Sequence, residues 1–219
     1  VHAFSLVHDD MPCMDDDKLR RGRNTLHIEY NEGLALLAGD ALQTLGTEIL
    51  CSSKNNLRKR FLLISELSKA TGSLGMAGGQ AIDIQAVKIK LEKKDVQIMH
   101  KLKTGALLEA AVNMGFLVIS SKKDFDKIIT FTKFASFLGI AFQVVDDILD
   151  VIGIQEKLGK TVGRDSNLCK PNFVQVLGIE KSKLYADKSL NLALDTIKYY
   201  GSEADFLREI AVSLVERKY

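Results

Sequence analysis

Apolar residues recur at intervals of three and four along most of the chain. The first such block comprises Leu34, Leu37, Ala38, Ala41 and Leu45. Similar blocks follow at 98–110 and 128–138. This spacing places apolar side chains on one face of an α-helix, whereas the strict alternation of a half-buried strand is absent. The pattern therefore predicts an all-α protein of about eight helices with short connections.

The composition agrees with helices and bounds the size of the protein. With 219 residues, of which 46% are hydrophobic and only two are proline, the chain can form one domain with a substantial core. We interpret residues 1–219 as a single domain. Because Val1 already falls within a helical pattern and is not an initiator methionine, we expect the N-terminal helices of that domain to lie outside this chain.

Net charge and cysteine content exclude several classes of function. The formal net charge is +2 and both signs are mixed, so we expect no nucleic-acid partner and no basic tail for an acidic membrane. Glycine and charged residues interrupt the longest apolar stretches, so we expect no stretch to reach transmembrane length, no transmembrane span and no membrane partner. Cys13, Cys51 and Cys169 have neither zinc-binding nor disulfide spacing, which favours a soluble, cytoplasmic protein.

Two clusters of aspartates stand out against this background. The first acidic cluster comprises Asp9, Asp10, Asp15, Asp16 and Asp17, and the second comprises Asp146, Asp147 and Asp150. Crowded carboxylates repel one another by about 1 kcal/mol even in water, so bound cations would explain them. Carboxylate oxygens with no histidine or cysteine among them suit Mg²⁺, which completes its shell with substrate phosphates. The clusters predict a Mg²⁺-dependent enzyme acting on diphosphates.

The two clusters differ in their local geometry. Asp146 and Asp150 are four residues apart in an apolar segment, so a helix would place both on one face, although a solvated acidic helix end is the alternative. Asp9 and Asp15 are six apart, and Pro12 between them should end the helix and let Asp15 return toward Asp9. An acidic first turn of a following helix is the alternative for the later aspartates.

Basic residues follow the first cluster directly. Arg20 and Arg21 can each offer two parallel hydrogen bonds to phosphate oxygens, while a simple ion pair with the nearby aspartates is the alternative. Lys103 and Lys160 each lie beside a glycine or threonine. Neither lysine alone indicates a binding site, but the acidic clusters make both of them candidates for a functional role.

Several short motifs resemble, in order and spacing, those of the trans-prenyltransferases, or polyprenyl synthetases, and most of all bacterial-type farnesyl diphosphate synthases. They are the segment Asp9 to Arg21, Gly39-Asp40-Ala41-Leu42, Gly78-Gly79-Gln80, Lys103-Thr104-Gly105, Phe142 to Asp147 and Gly159-Lys160. The resemblance implies an all-α bundle of the isoprenoid synthase type around a deep central cavity. The two acidic clusters would face each other across its mouth.

The resemblance also implies roles for individual residues. Asp9 and Asp15 would bind two Mg²⁺ ions and Asp146 a third. The carboxylates supporting the ions through water would be Asp10, Asp147 and Asp150. The allylic diphosphate would be held by Arg20, Lys103, Thr104, Gln143 and Lys160, of which Lys103 and Gln143 are candidate catalytic residues together with Asp146. Arg21 would contact the diphosphate of isopentenyl diphosphate, and Phe142 its hydrocarbon part.

The implied reaction condenses isopentenyl diphosphate with dimethylallyl or geranyl diphosphate through Mg²⁺-assisted ionisation. The enzyme would be a (2E,6E)-farnesyl diphosphate synthase, or geranyltranstransferase, acting as a cytoplasmic homodimer. Ser5 lies one helical turn before Asp9 and Phe4 adjoins it. Because a turn rises about 5.4 Å, close to one isoprene unit, a bulky Phe4 should stop growth at fifteen carbons.

Two alternative functions remain open, and a third is disfavoured. A longer-chain, geranylgeranyl diphosphate synthase differs only in product length, and a non-catalytic subunit of a heteromeric prenyltransferase would act by contact alone. A terpene cyclase is disfavoured because its second metal site mixes other residue types. The upstream isopentenyl diphosphate elements have no counterpart here, and 86–94 and 151–160 are shorter than is usual in the family.

Overall fold

The computed structural model describes residues 1–87, 89, 91–119, 125–152 and 171–216. The helices are α1 (His2–Asp9), α2 (Leu26–Glu29), α3 (Glu32–Ser52), α4 (Leu57–Thr71), α5 (Met76–Gln85), α6 (Lys93–His100), α7 (Ala106–Ile119), α8 (Phe125–Ile152), α9 (Phe173–Leu177), α10 (Ile179–Thr196) and α11 (Asp205–Val215). A π-helical turn, Lys101–Gly105, joins α6 to α7, and a 3₁₀ turn, Ser202–Ala204, precedes α11.

The all-α prediction is confirmed, with a larger number of helices than expected. The only strands among the described residues are β1 (Leu19–Arg20) and β2 (Arg23–Asn24), an antiparallel pair in which Leu19 lies opposite Asn24. The periodicity predicted about eight helices because α2 and α9 are single turns, too short to show a repeat. The single-domain interpretation and the central cavity stay predictions.

Several helix starts follow from side chains that cap the first turn. The Oδ1 atoms of Asn31 and Asn56 accept hydrogen bonds from the backbone N–H groups of Leu34 and Lys59, at the starts of α3 and α4. Asn172 caps α9 in the same way. Each cap satisfies a backbone donor that the helix itself leaves without a partner.

The described part of the core is built around α8. One face of α8 buries Phe134, Leu138, Ala141, Val144 and Ile148 against α10, α11 and α9. The helix also packs against α7 and the π-helical turn. Because α8 is held on several sides by apolar contacts, the backbone that carries the polar residues of its last turns is fixed in position.

Two glycines let neighbouring helices approach the π-helical turn. A Cβ at Gly79 of α5 would overlap the backbone of Lys103, and one at Gly139 of α8 would lie 3.3 Å from the Cα of Gly105. The turn is therefore held between α5 and α8 at backbone contact distance. Lys103 and Thr104 are placed by this packing.

The expectation that no stretch reaches transmembrane length was wrong. Glu32–Ser52, Lys93–Ile119 and Lys127–Ile152 are each long and apolar enough, by length and composition alone, to cross a membrane. Glycines and isolated charges interrupt these stretches without lowering their mean hydropathy enough to exclude them. In Lys127–Ile152, 39% of an apolar stretch of 18 residues is buried inside the protein, because this segment lies within α8, around which the described core is built.

Candidate active site

The first acidic cluster lies on an irregular turn that begins where α1 ends. The backbone N–H of Asp15 donates to the carbonyl of Asp9 at 2.9 Å, and that of Asp17 donates to the carbonyl of Asp10 at 3.1 Å. The predicted helix break and the return of Asp15 toward Asp9 are thereby confirmed. Asp16 has φ +51°, in the left-handed region, as the tight turn requires.

Arg20 extends from β1 to the buried carboxylate of Asp10. Its Nε donates to the two carboxylate oxygens at 2.7 and 2.9 Å, and its Nη2 lies 3.5 Å from Asp17. Burial acts to lower the pKa of Arg20, but the bonds to Asp10 and the charges of the neighbouring aspartates raise it above its ordinary value. The ion-pair alternative is observed for Arg20, and its contact with diphosphate stays a prediction.

Lys103 connects the π-helical turn to the first cluster. Its Nζ lies 2.6 Å from Asp83 Oδ2 and 3.8 Å from Asp9 Oδ1. Burial acts to lower the pKa of Lys103, but the carboxylates of Asp9, Asp83 and Asp15 outweigh burial and raise it, so the amine is charged at neutral pH. Gln80 donates from Nε2 to Asp9 Oδ1 at 2.7 Å.

Gln80 and Asp83 are site residues that the sequence analysis did not assign. Gln80 belongs to the Gly78-Gly79-Gln80 motif, which contributed to the resemblance without a stated role. Asp83 lies three residues further along α5 and is 4% exposed, between Ile82 and Ile84. An acid within an apolar helical segment was the signal that identified the second cluster, and the same signal was present at Asp83.

The second acidic cluster lies in the last turns of α8, as predicted. Asp147 and Asp150 are 2% and 5% exposed, so a solvated acidic helix end is the wrong interpretation for both. Thr104 Oγ1 donates to Gln143 Oε1 at 2.8 Å, and Gln143 Nε2 donates to Asp147 Oδ1 at 3.0 Å. Asp147 Oδ2 accepts the backbone N–H of Phe173 at 2.8 Å.

The two clusters meet at the π-helical turn. Lys103 faces Asp9, and the next residue, Thr104, bonds to Gln143 one helical turn before Asp147. This polar chain, in which the neighbouring residues Lys103 and Thr104 are linked through the backbone, brings together residues that lie up to 138 positions apart in the sequence. The polar side chains of α1, α5 and α8 thereby border a common region.

Three further residues with predicted roles are Arg21, Phe142 and Lys160. Arg21 is exposed in the β1–β2 turn with φ +53°, and Phe142 is half-buried on α8. Lys160 and the segment 153–170 lie outside the described residues. The diphosphate contacts of Arg21 and Lys160, and the contact of Phe142 with the hydrocarbon part of isopentenyl diphosphate, stay predictions.

Phe4 and Ser5 lie within α1, one turn before the first cluster. Phe4 is buried with its ring edge-on to His8, at 5.8 Å between centroids, and Ser5 Oγ donates to the carbonyl of His2 at 2.9 Å. His8 Nε2 lies 3.0 Å from the carbonyl oxygen of Leu36, and its ring occupies the space left by Gly39. His8 is a packing residue between α1 and α3, and the chain-length role of Phe4 stays a prediction.

The donor set of the clusters suits Mg²⁺ completed by a ligand. Within the ranges that the structure describes, no group of three or more histidine, cysteine or acidic side chains could hold an ion by itself. Mg²⁺ commonly takes one or two carboxylates and obtains its remaining ligands from water and phosphate. Asp9 and Asp15 fit that pattern, because a backbone hydrogen bond joins them and the charges of both carboxylates raise the pKa of Lys103.

Comparison with known proteins gives a consistent result. The family model of polyprenyl synthetases matches residues 1–204. The farnesyl diphosphate synthase of Escherichia coli K12 is 42% identical over 93% of this chain and 69% of its own length. The geranylgeranyl diphosphate synthase of Cyanophora paradoxa is 38% identical over 99% of this chain and 73% of its own length.

A solved structure extends the likeness to three dimensions. The geranyltransferase of Helicobacter pylori, complexed with magnesium and isoprenyl diphosphate, superposes with a TM-score of 0.88 at 36% identity. The alignment covers 98% of this chain and 70% of that protein. The fold of this chain is therefore that of the isoprenyl synthases.

Proposed function

Because this chain belongs to the polyprenyl synthetase family, we propose that it catalyses prenyl transfer as a farnesyl diphosphate synthase. Its substrates would be isopentenyl diphosphate and an allylic diphosphate, either dimethylallyl or geranyl. The observation that carries the proposal is the polar chain from Asp9 through Lys103 and Thr104 to Gln143, which joins both acidic clusters. Farnesyl diphosphate synthases at 38–42% identity support the reaction class.

The residues of this chain account for the demands of the reaction. Breaking the allylic carbon–oxygen bond transfers its electron pair to the departing diphosphate, and the double bond of isopentenyl diphosphate forms the new carbon–carbon bond. Lys103, charged at neutral pH, and Arg20 stabilise the developing negative charge more than the ground state. The proton lost in the last step passes to the diphosphate, so no side chain acts as general base.

Magnesium would be held by Asp9 and Asp15 in the first cluster and by Asp146 in the second. Bound Mg²⁺ supplies additional positive charge against the leaving diphosphate. Three ions, with Asp10 and Asp150 supporting through water, are our proposal for the loaded enzyme. The magnesium present in the related Helicobacter pylori structure supports the dependence on this ion.

Incubation of the full-length protein with Mg²⁺ and both five-carbon diphosphates tests the proposal. We expect farnesyl diphosphate as the main product, resolved by chain length with a chromatographic standard. No prenyl diphosphate product would contradict the enzymatic function itself, and would favour the non-catalytic subunit. Products beyond fifteen carbons would contradict only the length assignment and favour a geranylgeranyl synthase, a function also found among the relatives.

Phe4 is the proposed limit to product length. Its buried position one turn before the first cluster supports this role. We expect Phe4→Ala to shift the product distribution toward twenty carbons, because it removes bulk at the proposed end of the prenyl chain. Ser5, the other chain-length candidate, should have a smaller effect when replaced by alanine because little volume is lost, and His2→Ala, at an exposed position of α1, serves as the control. An unchanged product from Phe4→Ala would remove Phe4 from this role.

We further propose that the protein forms a homodimer through α3 and α4. Large apolar side chains form an exposed stripe along α3, hereafter the α3 stripe, which comprises Leu34, Leu37, Leu45 and Ile49. Leu57 and Phe61 of the neighbouring α4 are 78% and 70% exposed. Several large exposed apolar side chains on two helices in contact are typical of a protein interface.

Light scattering after size-exclusion chromatography of the full-length protein tests the dimer. We expect Leu37→Glu in the α3 stripe to weaken association at least tenfold, because it places a charge in an apolar interface. Thr47→Glu, an exposed position of the same helix, controls for the added charge. A monomeric wild-type protein would contradict the proposal.

A cytoplasmic location is also proposed. Cys13 and Cys51 are free and exposed, a state that a reducing compartment maintains. Fractionation of cells that express the full-length protein should recover it with the soluble fraction. Recovery in the membrane fraction would contradict this location.

A further inference from the structure

Asp147 is the most deeply buried carboxylate of the second acidic cluster. Its side chain is 1% exposed, and its two oxygens accept hydrogen bonds from different directions. Oδ1 accepts Gln143 Nε2 at 3.0 Å from the preceding turn of α8, and Oδ2 accepts the backbone N–H of Phe173 at 2.8 Å. The carboxylate therefore links α8 to the start of α9.

A third element completes the surroundings of Asp147. His100, at the end of α6, stacks on the ring of Phe173 with 5.3 Å between centroids, and its Nε2 lies 3.4 Å from Asp147 Oδ2. Phe173 is fully buried, and its neighbour Asn172 caps α9. Asp147 is thus enclosed by α6, α8 and α9, whereas the adjacent Asp146 is only half-buried.

Hydrogen-bond chemistry gives Asp147 control over the orientation of Gln143. An ionised carboxylate can only accept, so the amide nitrogen of Gln143 must face Asp147 and its oxygen must face Thr104. Thr104 then donates its hydroxyl hydrogen to Gln143. Because a side-chain amide has two hydrogens to donate, Gln143 can donate the second one to a ligand.

We propose that Asp147 is a positioning residue that orients Gln143 toward the diphosphate and anchors the start of α9, and that it does not bind Mg²⁺. Asp147 is the least exposed carboxylate of both clusters, and both its oxygens accept hydrogen bonds from the protein, one of them from a backbone N–H, so it has the least access to an ion or to an ion-bound water. Positioning the substrate side of the site is the role left to a carboxylate of this kind. The substrate part of the proposal rests on the proposed prenyl transfer, and the anchoring part does not.

Asp147→Asn in the full-length enzyme tests the orientation, with the adjacent Asp146→Asn as the matched control. The amide introduced by Asp147→Asn can still accept the Phe173 N–H, but it presents its nitrogen to Gln143 and so reverses the polarity of the Gln143–Thr104 pair. We expect the KM for the allylic diphosphate to rise about tenfold in Asp147→Asn, while the Mg²⁺ concentration for half-maximal rate changes less than twofold. Asp146→Asn should raise the Mg²⁺ requirement at least tenfold.

Two results would overturn the orienting role. One is an Mg²⁺ requirement that rises as much in Asp147→Asn as in Asp146→Asn, which would make Asp147 a metal ligand. The other is a lower kcat with an unchanged KM, which would make Asp147 merely structural. In addition, Gln143→Ala combined with Asp147→Asn should raise KM no more than Gln143→Ala alone, because Asp147 acts through Gln143; independent effects that multiply would contradict this route.

Hydrogen–deuterium exchange tests the anchor without reference to activity. In Asp147→Ala the Phe173 N–H loses its acceptor, so residues 171–177 should exchange at least tenfold faster than in the wild type, while α3 is unchanged. Asp146→Ala should leave exchange in 171–177 as it is. Unchanged exchange in Asp147→Ala would overturn the anchoring role. Because exchange does not depend on catalysis, this test remains informative even if the wild-type protein shows no prenyl transfer.

Discussion

Asp10 and Asp147, the most buried carboxylates of the first and second acidic clusters, have different kinds of partner. In the first, Asp10 accepts hydrogen bonds from Arg20, and Asp9 lies near Lys103. In the second, Asp147 accepts from a side-chain amide and from a backbone N–H. Asp10 and Asp9 are balanced by the cations of Arg20 and Lys103, whereas Asp147 is held by neutral donors of α8 and of the start of α9.

The difference separates two ways of using an acid at a diphosphate site. Cations that pair with carboxylates can also contact phosphate oxygens, so the first cluster, Arg20 and Lys103 form one electrostatic unit. Neutral hydrogen bonds hold a carboxylate in place without adding charge. Substitutions in the first cluster and of its cations should therefore affect the reaction most. Substitutions of the residues that pack against them should affect mainly the free energy of unfolding.

The largest effect is expected from Asp9→Asn. Loss of this carboxylate removes a proposed Mg²⁺ ligand and the charge facing Lys103, and we expect kcat to fall about 10³-fold, the upper range for removing one electrostatic contact to a transition state. Steady-state rates of the full-length enzyme at saturating Mg²⁺ measure the loss. Asp195→Asn on α10, an exposed acid outside both clusters, is the control. A loss below tenfold would show that the first cluster is not the electrostatic centre.

The next largest effect is expected from Lys103→Met, which keeps an unbranched side chain only one atom shorter and removes its charge. We expect kcat to fall about 10²-fold. The free energy of unfolding should also fall, by about 1–3 kcal/mol, because Asp83 keeps its charge without its cation. Urea denaturation measures this second loss.

The double variant Lys103→Met/Asp83→Asn separates the two roles of the pair. Since it removes both charges, it should recover most of the lost stability while kcat stays low. Recovery of kcat in the double variant would show that Lys103 affects the reaction only through the fold. No recovery of stability would show that Asp83 is not the partner that matters.

A smaller effect is expected from Gly79→Ala, which changes neither cluster directly. The added Cβ overlaps the backbone of Lys103, so α5 and the π-helical turn must separate, at a cost of about 1–3 kcal/mol in the free energy of unfolding. Gly115→Ala on α7 is the control, because its Cβ would meet nothing within 4 Å. Because alanine is more favourable than glycine in a helix interior, Gly115→Ala should raise the free energy of unfolding by up to about 1 kcal/mol. Equal effects of the two variants would contradict the close approach.

Much of the fold and part of the site could be predicted from local patterns. The period of three and four identified the long helices, and Pro12 between Asp9 and Asp15 predicted the irregular turn. The four-residue spacing placed Asp146 and Asp150 on one helix. Each of these features depends only on residues close in sequence.

What could not be predicted depends on packing between distant segments. Arg20 was expected near the aspartates that directly precede it, but its main partner is Asp10, which lies behind the turn. Asp83 reaches Lys103 only because two glycines let α5 and α8 close on the π-helical turn. The periodicity of a sequence does not show which distant residues come into contact, so the partners of a charged residue are harder to predict than its presence.

The smallest effect is expected at Asp16, where the two clusters differ in backbone conformation. Asp16 has φ +51°, whereas α8 carries the second cluster in regular helix. A β-branched residue is disfavoured in the left-handed region, so Asp16→Val should lower the free energy of unfolding by about 1 kcal/mol, and Asp16→Asn should leave it unchanged. Ile152→Val, an exposed position on α8, should cost less than about 0.5 kcal/mol because the branched side chain is tolerated there. If urea denaturation gives the two valine variants equal losses, the strained turn does not distinguish the first cluster from the second.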